Sequence, residues 1–149
     1  MKIEEALTTI PLFKGMNQGQ LQKLTAIVTD KNYGRGQSIF AEGDEGIGFY
    51  VVISGKVKIY KLSSEGKEQI LHIFGGGEPF AEAAVFVGAR FPAHAQALET
   101  SRIFFFPRQA FIHLIEENPA LAMNMMAALS MRLKEFAHLI ESLSLKEVP

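Results

Sequence analysis

Short apolar runs separated by glycine fill the middle of the chain, and a long stretch with helical spacing follows them. Eleven of the thirteen glycines lie between Gly34 and Gly88, and none lies in the 61 residues after Gly88. Frequent glycine is typical of short strands joined by tight turns, whereas a glycine-free stretch permits long helices. Six strands are predicted, at residues 38–40, 49–53, 56–60, 69–74, 93–99 and 102–106. The predicted fold class is mainly β with flanking helices: an antiparallel β-roll or jelly roll followed by a long C-terminal helix.

Turn and capping residues predict where several elements begin and end. Ser54 and Gly55 predict a two-residue turn of the kind that joins hairpin strands, and residues 64–67 predict a longer turn. Asn17 is a candidate helix N-cap, with Gln20 at the capping-box position. Residues 108–116 predict a short helix, and Pro119 predicts the first turn of the long one.

The C-terminal region carries an apolar seam with alternating intervals of four and three residues. After Ala122, the predicted dimerisation residues are Met126, Leu129, Leu133, Phe136, Ile140 and Leu143. This spacing suits a coiled coil, and a helix over residues 119–145 would be about 40 Å long, more than one small roll can cover. The seam therefore predicts a two-fold homodimer through the same helix of a second copy. The alternative is a helix that folds back on its own domain.

Composition narrows the function class. The chain has 149 residues, 48% of them hydrophobic, which is enough for one domain with a core. Its net charge of −1 is not that of a bare nucleic-acid-binding domain. The chain contains no cysteine, which excludes disulfides, thiol nucleophiles and cysteine-ligated clusters. The chain has neither a secretory signal nor an apolar run of membrane-spanning length, so a cytoplasmic protein is expected. It has no catalytic motif, so a protein that is not an enzyme is expected.

Two segments together resemble the cyclic-nucleotide-binding domain family. The first runs from Gly36 to Asp44 and continues from Phe49 to Tyr60, with glycines and aliphatic residues in the family spacing. The second comprises residues 77–82 and 91–97, where that family keeps its phosphate cassette. With the long helix, the whole chain resembles the sensor half of a bacterial Crp/Fnr-family transcription regulator. The resemblance implies a sensor domain over 1–118, a dimerisation helix over 119–149, and a winged helix-turn-helix DNA-binding domain after Pro149.

The cassette departs from the pattern of the cyclic-nucleotide binders in this family. Those proteins have a glycine before the cassette glutamate, where this chain has Ala81 before Glu82, and an arginine where this chain has Phe91. Pro92 removes a backbone donor, and Arg90 is one position away, on the opposite face if the segment is a strand. Because a buried phosphate without a cation is costly, cAMP and cGMP are disfavoured. A bulge that returns Arg90 to the pocket is the alternative.

The cassette is closer to the Dnr-type and HcpR-like branches, which implies haem-dependent nitric oxide sensing. Haem is then a candidate cofactor, and the candidate iron ligands are His94, His72 and Met126. His72 also fits a hydrogen-bonded core histidine, His94 also fits an outward-facing position, and methionines early in a long helix also fit ordinary packing. The candidate effector-cavity residues are Phe80, Ala81, Glu82, Arg90, Phe91, Pro92, Ala93 and His94.

Two functions follow from these observations. The first is the sensor and dimerisation part of a transcription regulator, in which a small-molecule effector bound between the roll and the long helix controls DNA binding allosterically. The alternative is a stand-alone regulatory module that binds cAMP or cGMP.

Overall fold

The computed structural model describes the chain from Met1 to Glu147, apart from the side chains of residues 136 and 144–147. The helices are α1 (Ile3–Thr8), α2 (Gln18–Ile27), α3 (Ala83–Phe86), α4 (Arg108–Glu117) and α5 (Pro119–Glu147), with a 3₁₀ turn at Pro11–Phe13. The strands are β1 (Thr29–Tyr33), β2 (Ser38–Phe40), β3 (Gly48–Ser54), β4 (Val57–Leu62), β5 (Glu68–Phe74), β6 (Pro79–Phe80), β7 (His94–Ala97) and β8 (Ser101–Pro107).

The strands form two four-stranded sheets with antiparallel pairing throughout. One sheet has the order β1-β8-β3-β6, and the other has the order β2-β7-β4-β5. The predicted fold class, an antiparallel roll with flanking helices and a long C-terminal helix, is confirmed. Within the described residues, no helix is both long and apolar enough to span a membrane.

Two strands and one turn differ from the sequence prediction. Strand β1 was missed because its sequence, TDKNY, is polar and only Tyr33 is buried. Strand β6 has two residues and begins with proline, which is too short to give a periodic signal. The predicted hairpin turn at Ser54 and Gly55 is wrong. Although Gly55 has a φ of 100°, β3 and β4 enter different sheets, so the turn is a corner of the roll.

Two hydrophobic clusters stabilise the fold. One joins α1, α2, α4 and the start of α5 to the outer face of β3 and β8, with Phe13, Phe49, Phe106 and Phe111 at its centre. The other fills the interior of the roll between the two sheets and contains Phe40, Tyr50, Phe80 and Phe91, among others. The predicted capping box of α2 is present, with the Asn17 side chain accepting from the Gln20 backbone N–H at 2.8 Å.

Helix α5 begins at Pro119 as predicted and changes environment along its length. Leu121 and Met125 are buried in the first cluster. Farther along, the seam residues are partly or largely exposed: Leu129 is half-buried, while Met126, Leu133, Ile140 and Leu143 are exposed by 53%, 72%, 59% and 52%. The side chain of Phe136, also predicted in the seam, lies outside the described residues.

Candidate functional site

The cassette begins with a backbone turn that glycine would adopt more easily. Phe80 ends strand β6, and Ala81 follows with a φ of 64°, the left-handed region that is disfavoured for residues with a Cβ. Glu82 then precedes the short helix α3. Ala81 occupies the position at which cyclic-nucleotide binders have glycine. The left-handed backbone conformation is therefore kept although the residue now has a Cβ.

The aromatic residues of the cassette fill the interior of the roll. Phe80 and Phe91 are 0% and 3% exposed. The Phe91 ring stacks on Phe40 with centroids 3.9 Å apart, and the Phe80 ring stacks on Tyr50 at 5.2 Å. Burial raises the pKa of the Tyr50 hydroxyl well above its ordinary range. Ala93 is buried in the same part of the chain. The predicted effector residues Phe80 and Phe91 are therefore brought together in the packed interior, and Ala93 is buried as well.

Arg90, Phe91 and Pro92 give the cassette no buried cation and, at the proline, no backbone N–H for a phosphate. Arg90 is exposed, and its Nη1 donates to the carbonyl of Gly43 at 2.9 Å, outside the roll. Pro92 has no backbone N–H to offer an anion. A ring takes the place where a guanidinium would neutralise the phosphate, because Phe91 is buried there. Placing a phosphate against these groups would leave its charge uncompensated.

Glu82 is paired with the long helix. Its side chain makes no capping hydrogen bond to α3; instead its Oε2 lies 3.6 Å from Nη1 of Arg132 on α5. The carboxyl is largely buried, with 19% of the side chain exposed. Burial raises the pKa of Glu82, and the nearby Arg132 partly offsets that rise. The pair is a direct electrostatic connection between the cassette and the helix predicted to dimerise.

The candidate iron ligands lie on three separate elements. In β7 the buried residues are Ala95 and Ala97, so His94 faces the outer side of the sheet, where its Nδ1 accepts from the backbone N–H of Glu42 at 3.1 Å. His72 is exposed on β5, and Met126 is exposed on α5. In the part of the chain that the structure describes, no three acidic or histidine side chains are grouped as a metal site. The structure therefore does not bring His94 together with Phe80 and Phe91.

A cavity of about 560 Å³ lies between α5 and the body of the domain. Pro11, Leu12 and Lys14, in and directly after the 3₁₀ turn, line one side, residues 77–79 line another, and α5 lines a third with a face that includes Leu129 and Arg132. It lies between the roll and the long helix, the region in which an effector is predicted to bind. None of the predicted effector residues lines it. The sequence offered no local signal for this cavity, because residues more than 100 positions apart form it.

The antiparallel roll coincides with the part of the sequence that matches a known family. A model of the cyclic nucleotide-binding domain matches residues 30–118, more than half of the chain. The chain belongs to the cyclic nucleotide-binding domain family. The match begins in β1 and ends after α4, so it covers both sheets and the cassette.

Solved structures of Dnr from Pseudomonas aeruginosa are similar to this family member. One has a TM-score of 0.78 and 38% identity, covering 96% of this chain and 63% of that chain. The structure of the Dnr sensor domain has a TM-score of 0.76 and 35% identity, with 91% of each chain covered. The resemblance to Crp/Fnr-family sensor domains of the Dnr type is thereby confirmed.

Curated relatives are regulators rather than enzymes. The cyclic AMP receptor protein of Thermus thermophilus is 31% identical over 137 residues, which are 92% of this chain and 63% of that protein. Other relatives are named as a cAMP-activated global transcriptional regulator and as fumarate and nitrate reduction regulatory proteins. The chain spans 66% or less of the length of these relatives.

Proposed function

We propose that this chain is the sensor and dimerisation part of a Crp/Fnr-type transcription regulator. Helix α5 pairs with the same helix of a second copy, and a small-molecule effector changes how the pair is held. A winged helix-turn-helix domain following residue 149 converts that change into DNA binding. The observation that carries the proposal is the exposed apolar seam of α5 on a chain whose relatives are named as transcriptional regulators.

The coupling acts through groups that connect the roll and the helix. Glu82 of the cassette faces Arg132 of α5, and the cavity beside them is bounded by the half-buried seam residue Leu129. An effector that contacts the cavity more favourably in one arrangement of α5 shifts the population toward that arrangement. Since α5 leads toward the DNA-binding domain, the same shift reorients that domain.

The effector is not a cyclic nucleotide in this proposal. The exposed Arg90 and the buried Phe91 support that exclusion, since neither supplies a buried cation for a phosphate. Isothermal titration calorimetry with cAMP and cGMP tests it, and no saturable heat is expected. Saturable binding of either nucleotide would favour the alternative, a stand-alone cyclic-nucleotide-binding module.

Haem is the candidate cofactor implied by the Dnr-type resemblance. His94, His72 and Met126 lie on different elements and are not brought together, so any one of them would serve only as a single axial ligand of the iron. When bound, haem would supply a site for nitric oxide. A haemin titration should give a Soret shift that saturates at one equivalent per protomer and is lost on substitution of the ligating residue. A linear, non-saturating response would exclude the haem version and leave the regulator proposal in place.

DNA control is tested on the protein encoded by the complete reading frame. A regulator is expected to bind a specific operator as a dimer, with an affinity that changes when the effector is present. A reading frame that ends at Pro149, or one that encodes no DNA-binding domain, would support the regulatory module instead.

A further inference from the structure

Arg132 has a buried nitrogen that its pairing with Glu82 does not satisfy. Its Nη1 is buried and forms no hydrogen bond within the part of the chain that the structure describes. Glu82 lies 3.6 Å away, close enough for an ion pair but too far for a hydrogen bond. A guanidinium has five N–H donors, and leaving a buried one unsatisfied costs free energy. Arg132 therefore has unused capacity to bind an acceptor.

Arg132 also lines the cavity between α5 and the 3₁₀ turn. The walls around it are largely apolar, with Pro11, Leu12 and Pro79 on the body of the domain. On α5 they include Ala128 and Leu129. A volume of about 560 Å³ lies within the range of small-molecule sites. An apolar, partly open pocket with a cation at one side suits an amphipathic anion.

The charges around the cavity favour a single negative charge on the ligand. In the lining, Lys14 and Arg132 are basic and Glu78 and Glu135 are acidic; Glu82, which is beside Arg132 but not in the lining, adds a further acidic group. The Glu78 carboxylate already accepts from the backbone N–H of Gly75 at 2.9 Å. A dianion would be repelled by the two acidic side chains, whereas one carboxylate can pair with the planar guanidinium through two parallel hydrogen bonds.

We propose that this cavity binds an organic monocarboxylate with an apolar body, whose carboxylate is held by Arg132 and whose body lies against the apolar walls. The proposal rests on the sensor function proposed above and names the chemical class of the effector. The ligand competes with Glu82 for the guanidinium and contacts Leu129 of the predicted dimer seam, so its binding acts on both the cassette and the pairing helix.

Decanoate is a suitable probe, with decanol as its uncharged analogue and decyl phosphate as the more highly charged one. Calorimetry on the whole chain should show saturable decanoate binding at one per protomer, about tenfold or more tighter than decanol because a charged hydrogen bond is added. Decyl phosphate should bind more weakly than decanoate. Equal affinities for decanoate and decanol, or tighter binding of decyl phosphate, would overturn the proposal.

Two variants on α5 assign the effect to one side chain. Arg132→Gln should reduce decanoate affinity to that of decanol, while Lys134→Gln, which removes the same charge from an exposed position two residues later, should leave it unchanged. Circular dichroism establishes that both variants fold. If Arg132→Gln does not fold, the comparison of decanoate with decanol on the unmodified chain still decides the proposal.

The oligomeric state separates this proposal from the function on which it rests. Decanoate binding to Leu133→Glu tests whether the helix of a second copy fills the cavity. Binding that occurs only in this variant would mean that the partner helix is the occupant, and it would overturn the ligand proposal. A dimer that shows no preference for a carboxylate would refute only the ligand class. A monomer that binds decanoate would support the ligand class and refute the proposed dimeric regulator.

Discussion

Both halves of helix α5 carry apolar side chains, but on different faces and in different surroundings. In the first half, Leu121 and Met125 are each 2% exposed and pack into the first hydrophobic cluster, the one that joins the helices to β3 and β8. In the second half, Leu133 and Ile140 are 72% and 59% exposed. Apolar burial stabilises the first half within one chain, whereas the second half gains that stabilisation only from another surface. One continuous helix therefore has an anchoring part and a part that is available for a partner.

The largest expected effect is on the exposed half. Leu133→Glu places a charge in the centre of the predicted seam, and burying it without a counter-ion would oppose pairing. The protein should sediment as a monomer, with half of the wild-type mass. Ser130→Glu, which adds the same charge at an exposed position outside the seam, should remain dimeric. A wild-type monomer, or a Leu133→Glu dimer, would contradict the proposed role of the seam.

A buried truncation should affect the anchored half instead. Leu121→Ala truncates a side chain in the first hydrophobic cluster and should lower the free energy of unfolding by about 2–5 kcal/mol. Urea denaturation in the Leu133→Glu background measures this without a contribution from dimer dissociation. Met123→Ala, at a residue 63% exposed, should change stability by less than about 0.5 kcal/mol. Similar losses for the two variants would mean that the first half of α5 is not anchored as described.

A smaller effect is expected near the boundary between the halves. The Asn124 side-chain Nδ2 donates to the carbonyl of Lys14 at 2.7 Å and ties α5 to the 3₁₀ turn. Asn124→Ala should lower the free energy of unfolding by about 1 kcal/mol. Hydrogen exchange should locate the loss, with faster exchange in α5 around residue 124 and unchanged exchange in β3 and β8. Uniform acceleration across the sheets would argue against a local tie.

The smallest effect concerns pH. Because burial raises the pKa of Glu82 in the folded state, the folded protein holds its proton more tightly than the unfolded chain. The stabilising contribution of the protonated form is full below the ordinary pKa of 4.5 and is lost as the pH rises through the raised value. Glu82→Gln does not titrate, so its stability relative to wild type should increase across that interval.

Urea denaturation at several pH values measures the difference between the two proteins. Glu65→Gln, at an exposed turn, is the matched control and should follow the wild-type profile. A difference between wild type and Glu82→Gln that does not change with pH would show that the Glu82 carboxyl is not perturbed as the burial indicates.

The fold was largely predictable because its signals are local. Glycine positions indicated the turns, and Asn17 with Gln20 indicated the start of α2, which the observed hydrogen bonds confirm. The polar strand β1 was not predictable from alternation, since its position depends on pairing with β8. The corner at Gly55 was not predictable because the sequence of a tight turn does not show which sheet its second strand joins.

The candidate site was predicted only in part. The departure of Phe91 from the cyclic-nucleotide pattern was readable, and its burial agrees with that reading. The role of Arg132 was not, since a charged residue on an amphipathic helix normally faces solvent and only the folded chain brings it to Glu82. The apolar seam also did not indicate which residues of α5 are buried. Leu121 and Met125 each lie one position before Ala122 and Met126, which continue the heptad spacing.

Strand β5 has a practical consequence for handling the protein. It ends the second sheet, and its apolar side chains Ile70, Leu71 and Ile73 are each about half exposed. The outer backbone groups of such a strand can accept another strand, and aliphatic side chains favour that addition. Concentrated solutions of the protein should therefore slowly form β-rich oligomers through this edge strand, and Leu71→Lys should slow their growth.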